Sequence, residues 1–455
     1  MENFTIFLNF VNIIQMSLLD KFQSFSQHRF VKQAATLQAG NITGNFIQAL
    51  IGVFLARLLQ PELFGIYTIA ISLGSLAALF IGFGAFNATA SLASESYAKG
   101  DHDELREILG FLVKIVFLSG LIAVAYIFML PWIGFKFYNS PIIGIYAGVI
   151  VLALLVSSTM FSFLSLCLQL VGKIKTLAKL VVSDQALRYG FSLLLVFGGF
   201  GVWGAVSGQL AGAIILFVIS VAFWKYFRRE FNIFPSLFRL LKDAKRAPFK
   251  KYFSFTFWVT LDRNMGNVFM TIPVVLAGVY IATDELTFFK LAFGYINLSM
   301  SMLGPISTLL NIEFPKMKAE DSKGLARNFM KVSIYSMILT AVLTTCIVLI
   351  APFAFKILYG ESFLPSVKYV TGLFLYGALY GIGVGLGPMW RAVNKVKVSI
   401  LINTIILAVG IPAGLLLIKF FGAWGAVIMV TLWFTTSHFI SFIYLSKKLK
   451  SHERI

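Results

Sequence analysis

From Pro141 to Leu170 the chain runs without one charged side chain. A helix of roughly 20 apolar residues is what it takes to cross about 30 Å of bilayer hydrocarbon. The pattern recurs: further apolar stretches lie near 37–58, 63–91, 109–131, 180–199, 203–224, 252–279, 287–312, 331–352, 365–389, 399–418 and 423–445. With 142–167 they make twelve. Over the whole chain of 455 residues, 58% are hydrophobic and only 13% charged, too few charges to clothe a soluble surface. The runs are continuous, not alternating, which excludes the strands of a membrane β-barrel. The reading is an all-α membrane protein with about 12 transmembrane helices.

The formal net charge of +19 would suit nucleic acid, but its placement does not. Basic residues gather in alternate loops. Residues 225–251 hold Lys225, Arg228, Arg229, Arg239, Lys242, Lys245, Arg246, Lys250 and Lys251, against Glu230 and Asp243. Lys173, Lys175 and Lys179 follow the fourth span, Lys316, Lys318, Lys323 and Arg327 the eighth, and Arg391, Lys395 and Lys397 the tenth. Lys447, Lys448 and Lys450 follow the last. The intervening loops carry few cations. This is the positive-inside distribution. It puts both termini in the cytoplasm and makes anionic membrane lipids, not nucleic acid, the partner of the charge.

The sequence FGVWGAV at 200–206 returns as FGAWGAV at 421–427. VGKIK at 171–175 returns as VNKVK at 393–397, and Pro131, Lys136 and Tyr138 as Pro352, Lys356 and Tyr359. Gly44-Asn45 matches Gly266-Asn267. Several matches in order at one separation imply duplication. The chain divides into a cytoplasmic segment 1–29, a first lobe 30–225, a basic linker 226–250, a second lobe 251–446 and a basic tail 447–455. Residues 4–19 are too short and polar to span; they read as an interfacial helix or as an upstream extension, Met16 being a second plausible start. Each lobe holds six spans, an even number, so the two repeats are parallel and related by a two-fold axis along the membrane normal, with a central cavity between them. Rocking the lobes would give alternating access.

Polar residues at membrane depth are the candidate site. Gln38, Asn41, Asn45 and Gln48 recur at spacings of three and four, on one helix face. They either line the cavity or bond between helices. The repeat partner of that span carries Asp262, Arg263, Asn264 and Asn267. A charge at a helix centre costs about 2.5–3.5 kcal/mol on insertion scales, so it usually faces water, a partner or a ligand. Arg263 is the first choice for a substrate contact, Asp262 and Asn267 its neighbours. Asp184 and Arg188, at i and i+4, read first as a structural pair and second as cavity lining. Lys290 either snorkels to the interface or points inward. Arg57 and Arg391, near span ends, read as interfacial anchors. Cations outweigh acids slightly, and guanidinium suits phosphate oxygens, so the cargo is expected to be anionic.

Other signals are weak. YGIGVGLGP at 380–388 lacks the spacing and context of a phosphate loop and reads as a bent helix. The four histidines, His28, His102, His438 and His452, have no ligand-spaced partners, so no metal is expected. His438 reads as a packed polar residue before a proton relay. Cys167 and Cys346 read as buried free thiols. No cluster points to an enzyme, and no cofactor is expected; coupling to a proton or ion gradient stays open.

ARLLQPELFGIYTIAISLGSL at 56–76 resembles the opening of the bacterial polysaccharide exporters of the multidrug/oligosaccharidyl-lipid/polysaccharide superfamily, through Leu59, Pro61, Glu62, Phe64, Gly65 and Tyr67. The basic turn after span four and the FGxWGAV opening of spans six and twelve are similar too. The resemblance, over about 30–446, implies a flippase in the bacterial inner membrane that moves undecaprenyl-pyrophosphate-linked oligosaccharide for O-antigen, capsule or exopolysaccharide synthesis. It implies a polysaccharide polymerase and glycosyltransferases as partners. Lipid II flippases of the superfamily usually have two more spans and several cavity arginines, which this chain lacks. A cation-coupled multidrug exporter is the alternative, although the first span has no acid; a scaffold for glycosyltransferases is the third.

Overall fold

The computed structural model describes residues 29–79, 85–320 and 322–452, and among them there are helices and no strand. The segment 1–28 and the tail 453–455 lie outside the described residues. The helices are α1 (Arg29–Ala78), α2 (Ala85–Lys99), α3 (His102–Tyr138), α4 (Pro141–Leu170), α5 (Ile174–Leu195), α6 (Gly201–Glu230), α7 (Leu237–Arg246) and α8 (Phe249–Tyr280). There follow α9 (Thr283–Ser301), α10 (Gly304–Glu320), α11 (Ser322–Leu358), α12 (Ser366–Gly372), α13 (Phe374–Leu379), α14 (Leu386–Ala392), α15 (Val396–Phe421) and α16 (Ala423–His452).

Seven stretches are long and apolar enough to cross a membrane, or eight if the bent pair within 361–392 is one span. Two of the seven, 35–76 and 174–230, each contain a chain reversal and so hold two rods. In α1 the break falls at Gln60 (φ 60°, ψ 167°), where Pro61 bars its predecessor from the helical region. Between α5 and α6 it falls at Gly199–Gly201. The remaining rods are α8, apolar only over 264–280, and the α9–α10 pair. With the two broken stretches counted as two arms each, and the bent pair, α8 and the α9–α10 pair as one each, the described residues form twelve long rods.

The structure corrects two spans. The run 287–312 is not one helix but α9 and α10, broken around Met302–Leu303. The run 365–389 is a chain of short helical pieces bent by 50°. Cys346 is also corrected: it is exposed, on the outward side of α11, whereas Cys167 is buried.

The duplicated sequence folds twice into the same shape. Gly172 and Asn394 both turn left-handed, at φ 73° and 56°. In each, the next residue donates its N–H back to the preceding helix: Lys173 to Leu168 and Lys395 to Trp390, both at 2.9 Å. This is the hydrogen-bonded reversal with which many helices end.

Close approach fixes the first bundle. A Cβ on Gly208 would come 2.4 Å from the backbone of Ser192, and one on Gly212 2.6 Å from that of Arg188. Small residues let two membrane helices touch along their backbones. The end of the linker helix α7 is strapped to the first bundle, Lys114 donating to the Ala247 carbonyl at 2.5 Å, and so is the start of α8, where Lys251 lies 3.4 and 3.3 Å from Glu104 and Glu107.

Consecutive rods run antiparallel, so the lysine-rich turns share one end, the basic end, and the turns at 139–140, 199–201, 281–282 and 359–360 share the other. At that opposite end one apolar core joins both bundles, with Leu59, Tyr67 and Ile143 of the first packed into a cluster with Ala277, Phe289 and Tyr376 of the second. At the basic end the core divides. One cluster, including Leu109, Phe163 and Trp224, belongs to the first bundle, the linker and the start of α8, whose Tyr252 is a member. Another, including Phe314, Phe329 and Trp390, belongs to the second. Apart from the start of α8, which stays packed on the first bundle through Phe249, Lys251 and Tyr252, the bundles meet at one end and part towards the other.

Candidate functional site

The seal between the bundles is made of specific contacts. Thr287 donates its hydroxyl to the Pro61 carbonyl at 2.7 Å. Tyr138 donates to the Val275 carbonyl at 2.9 Å. Gly65 lies so close to Thr283 that a Cβ would come within 2.0 Å of its carbonyl oxygen. Arg57 does more than anchor to the interface: its guanidinium reaches across and bonds the Leu358 carbonyl at 2.6 Å and the Ile357 carbonyl, satisfying the orphan end of α11. Arg391 bonds the Gly387 carbonyl of its own helix.

Below the seal the two cores separate, and contacts on either side show which residues lie at the gap where the bundles part. On α8, Asn264 donates to the Leu79 carbonyl of the first bundle at 3.0 Å, while Met270 meets Asn297 of α9 through its sulfur. Asn267 lies three residues from each, midway between them round the helix, and is exposed. It faces the gap. On α9, Thr287 points at the first bundle and Asn297 at α8; Lys290 shares their face, three residues after one and seven before the other. Lys290 is half-buried and has neither hydrogen bond nor ion pair among the described residues. It sits roughly 10 Å from the start of α9, just beneath the seal.

The four amides of the first span divide. Gly40 and Gly44 press against α5, the Cβ positions lying 2.9 Å from Ala178 and 3.1 Å from Gln185. Gln48 belongs to that packed side: it donates to the Tyr189 hydroxyl at 2.7 Å, an interhelical bond instead of a free cavity group. Asn41 is half-buried at the margin, and Gln38 and Asn45 are exposed. Beyond them round the helix come Ile42 and Phe46, 60% and 66% exposed, the surface a lipid would cover. The polar strip thus lies between the packed face and the apolar one.

Asp184 and Arg188 form a bidentate pair along α5. The Arg188 Nε donates to Asp184 Oδ1 at 2.8 Å and a terminal nitrogen to Oδ2 at 2.6 Å, both residues buried. Beside them Gln209 donates to the Tyr67 hydroxyl at 2.7 Å. Spacing alone exposed the ion pair; the Tyr67–Gln209 and Gln48–Tyr189 bonds join residues more than a hundred positions apart and had no local signal. Arg263 and Asp262 are on α8, four and five residues before Asn267, and their side chains lie outside the described residues. Among the described residues no group of acids, histidines and cysteines could hold a metal.

The sequence model of the family described as polysaccharide biosynthesis protein matches residues 54–368. No curated protein matches the chain in sequence. Among solved structures, a multidrug resistance MATE family transporter of the MOP superfamily in its inward-facing conformation superposes with a TM-score of 0.66 at 16% identity, over 90% of this chain and 95% of that one. An outward-facing conformation of a MATE family transporter of that superfamily gives 0.55 at 16% identity, over 93% and 96%. A MOP superfamily transporter from Pyrococcus furiosus, whose binding pocket has reversed polarity, gives 0.53 at 15% identity, over 92% and 96%. At these identities the likeness is one of fold.

Proposed function

Because the chain belongs to the polysaccharide biosynthesis protein family, we propose that its gap carries the head group of a lipid-linked oligosaccharide, an undecaprenyl-pyrophosphate-linked repeat unit, from the cytoplasmic to the outer leaflet of a bacterial inner membrane. The observation that carries this reading is Lys290, a cation with no hydrogen bond or ion pair among the described residues, on the face of α9 that meets the first bundle and α8, with the neutral amides of Asn267, Asn45 and Gln38 exposed nearby where the bundles part. Asp184, the acid deepest in the first bundle, is spent on Arg188. An organic cation would find no free carboxylate there among the described residues. A diphosphate would find an ammonium group, and sugar hydroxyls would find amides. Arg263, on the face of α8 that holds Asn267 by its i, i+4 spacing, adds a guanidinium suited to phosphate oxygens.

The basic end lies in the cytoplasm by the positive-inside distribution, with the loops against anionic lipid. The gap parts towards that end, where the cargo is loaded. The sugar and pyrophosphate cross within the gap while the prenyl chain stays in lipid. Polymerase and glycosyltransferases dock at the faces that supply and receive the repeat unit.

The test is reconstitution in proteoliposomes with defined fluorescent lipid-linked glycans, with and without imposed pH and voltage gradients. Glycan should change leaflet, and Arg263→Ala should slow it at least tenfold with insertion and folding unchanged. Unaltered turnover removes Arg263 from the site. Ethidium efflux without glycan movement would replace this reading with drug export; neither activity, with glycosyltransferase capture intact, would replace it with a scaffold.

A further inference from the structure

The bundles repeat in sequence but differ in packing, and the difference leaves a chamber in the second. Gly266 is the repeat partner of Gly44, yet a Cβ on Gly266 would meet nothing within 4 Å. Where α5 closes on α1 in the first bundle, α15 stands off from α8 in the second. A cavity of about 230 Å³ opens there, between α8, α14, α15 and α16.

Its walls combine two kinds of group. Phe269, Tyr380, Trp390 and Phe434 supply aromatic surface, and Ser399, Asn403, His438 and Ser441 supply polar atoms. The Ser437 hydroxyl donates to Asn403 Oδ1 at 2.6 Å, which fixes the amide and leaves its two N–H donors unused. The His438 ring is held edge-on between Tyr380 and Phe434, at 5.2 and 6.1 Å between centroids, and against Gly383, where no side chain would fit. The Tyr380 hydroxyl, the His438 nitrogens and the hydroxyls of Ser399 and Ser441 have no hydrogen-bond partner among the described residues. Among the described residues no charged side chain lines the chamber, the nearest being Arg391, which is turned back to the Gly387 carbonyl of its own helix. Gly266, on its rim, is exposed and adjoins the gap-facing Asn267.

We propose that this chamber binds one neutral sugar ring of the cargo. The proposal rests on the transport reading above and gives it a subsite. An anion would need a cation, and a prenyl tail would need walls without unpaired polar groups, each of which costs about 1–3 kcal/mol if left unsatisfied. A pyranose satisfies both halves. Its C–H faces lie on aromatic rings, and its hydroxyls both donate and accept, as amide, imidazole and phenol require. The volume is below the roughly 300–1,000 Å³ of sites for drug-sized ligands, so the chamber takes a single ring and not a chain.

The experiment compares two probes on purified protein in nanodiscs: undecaprenyl pyrophosphate carrying the repeat glycan, and undecaprenyl pyrophosphate without sugar. Gly266→Leu fills the chamber from its rim, meets no atom at Cβ and improves helix propensity, so folding is spared. Asn403→Ala removes the fixed amide. Each should weaken binding of the glycan-bearing lipid at least tenfold and leave the sugar-free lipid unchanged. Both variants binding glycan-bearing lipid like the wild type, or losing both lipids equally, overturns the proposal alone. A wild type that binds and flips no lipid-linked glycan overturns the transport reading beneath it.

Discussion

Gly201 and Gly422 occupy equivalent turns of the two bundles with nearly the same backbone, φ 52° and ψ −138° in one, φ 56° and ψ −135° in the other. A repeated heptad has been kept for a repeated reversal. The conformation is close to one that only glycine adopts without strain.

Alanine at either position should therefore cost about 1–3 kcal/mol. Thermal unfolding in detergent should show Gly201→Ala and Gly422→Ala destabilised alike. Gly52→Ala, on a helix with open space at Cβ, should be neutral or slightly stabilising. Different losses at the two turns would mean that the duplication no longer shares its energetics.

The Asp184–Arg188 pair gives a second test. Removing one partner of a buried pair costs about 3–5 kcal/mol, because a lone charge remains, whereas replacing both by apolar groups can be nearly neutral. Arg188→Met should unfold far more readily than the wild type, and the double change Asp184→Leu with Arg188→Met should recover most of the loss. A double variant as unstable as the single one would show that the pair is needed for more than mutual neutralisation.

Lys290 predicts the opposite balance. Its amine has no partner to abandon, so Lys290→Met should hold or raise the unfolding temperature, since an unpaired polar group is costly to bury. Initial rates of glycan flipping should fall at least tenfold in the same protein. Full transport by this variant would end the anion argument.

Arg57 concerns the seal. Arg57→Ala frees the last carbonyls of α11 and removes a tie between the bundles, so the closed end should open more often. In a background lacking Cys167 and Cys346, a cysteine at Thr287 should react faster with a membrane-impermeant maleimide once Arg57 is gone. An unchanged labelling rate would assign Arg57 to local capping only.

Much of this arrangement was legible in the chain. The all-helical class and the repeated reversals follow from apolar runs and from the glycines of FGVWGAV and FGAWGAV, because a positive φ is a local demand with a local signature; the breaks inside 287–312 and 365–389 do not. Asp184 and Arg188 were legible for the same reason: four residues is one helical turn. The chamber was not. It exists because α15 fails to close on α8 as α5 closes on α1, a relation between helices far apart in sequence. Gly44 and Gly266 are identical as letters and differ only in what stands opposite them. For Gln48 spacing left cavity lining and interhelical bonding both open, and only the neighbouring Tyr189, distant in sequence, decides for the second.

The apolar core that bridges the bundles at one end has a thermodynamic corollary. Prising that end apart wets Leu59, Phe289 and their neighbours, and exposing apolar surface raises heat capacity. The reorientation step should therefore show a bowed Arrhenius plot, with an activation enthalpy that grows on warming.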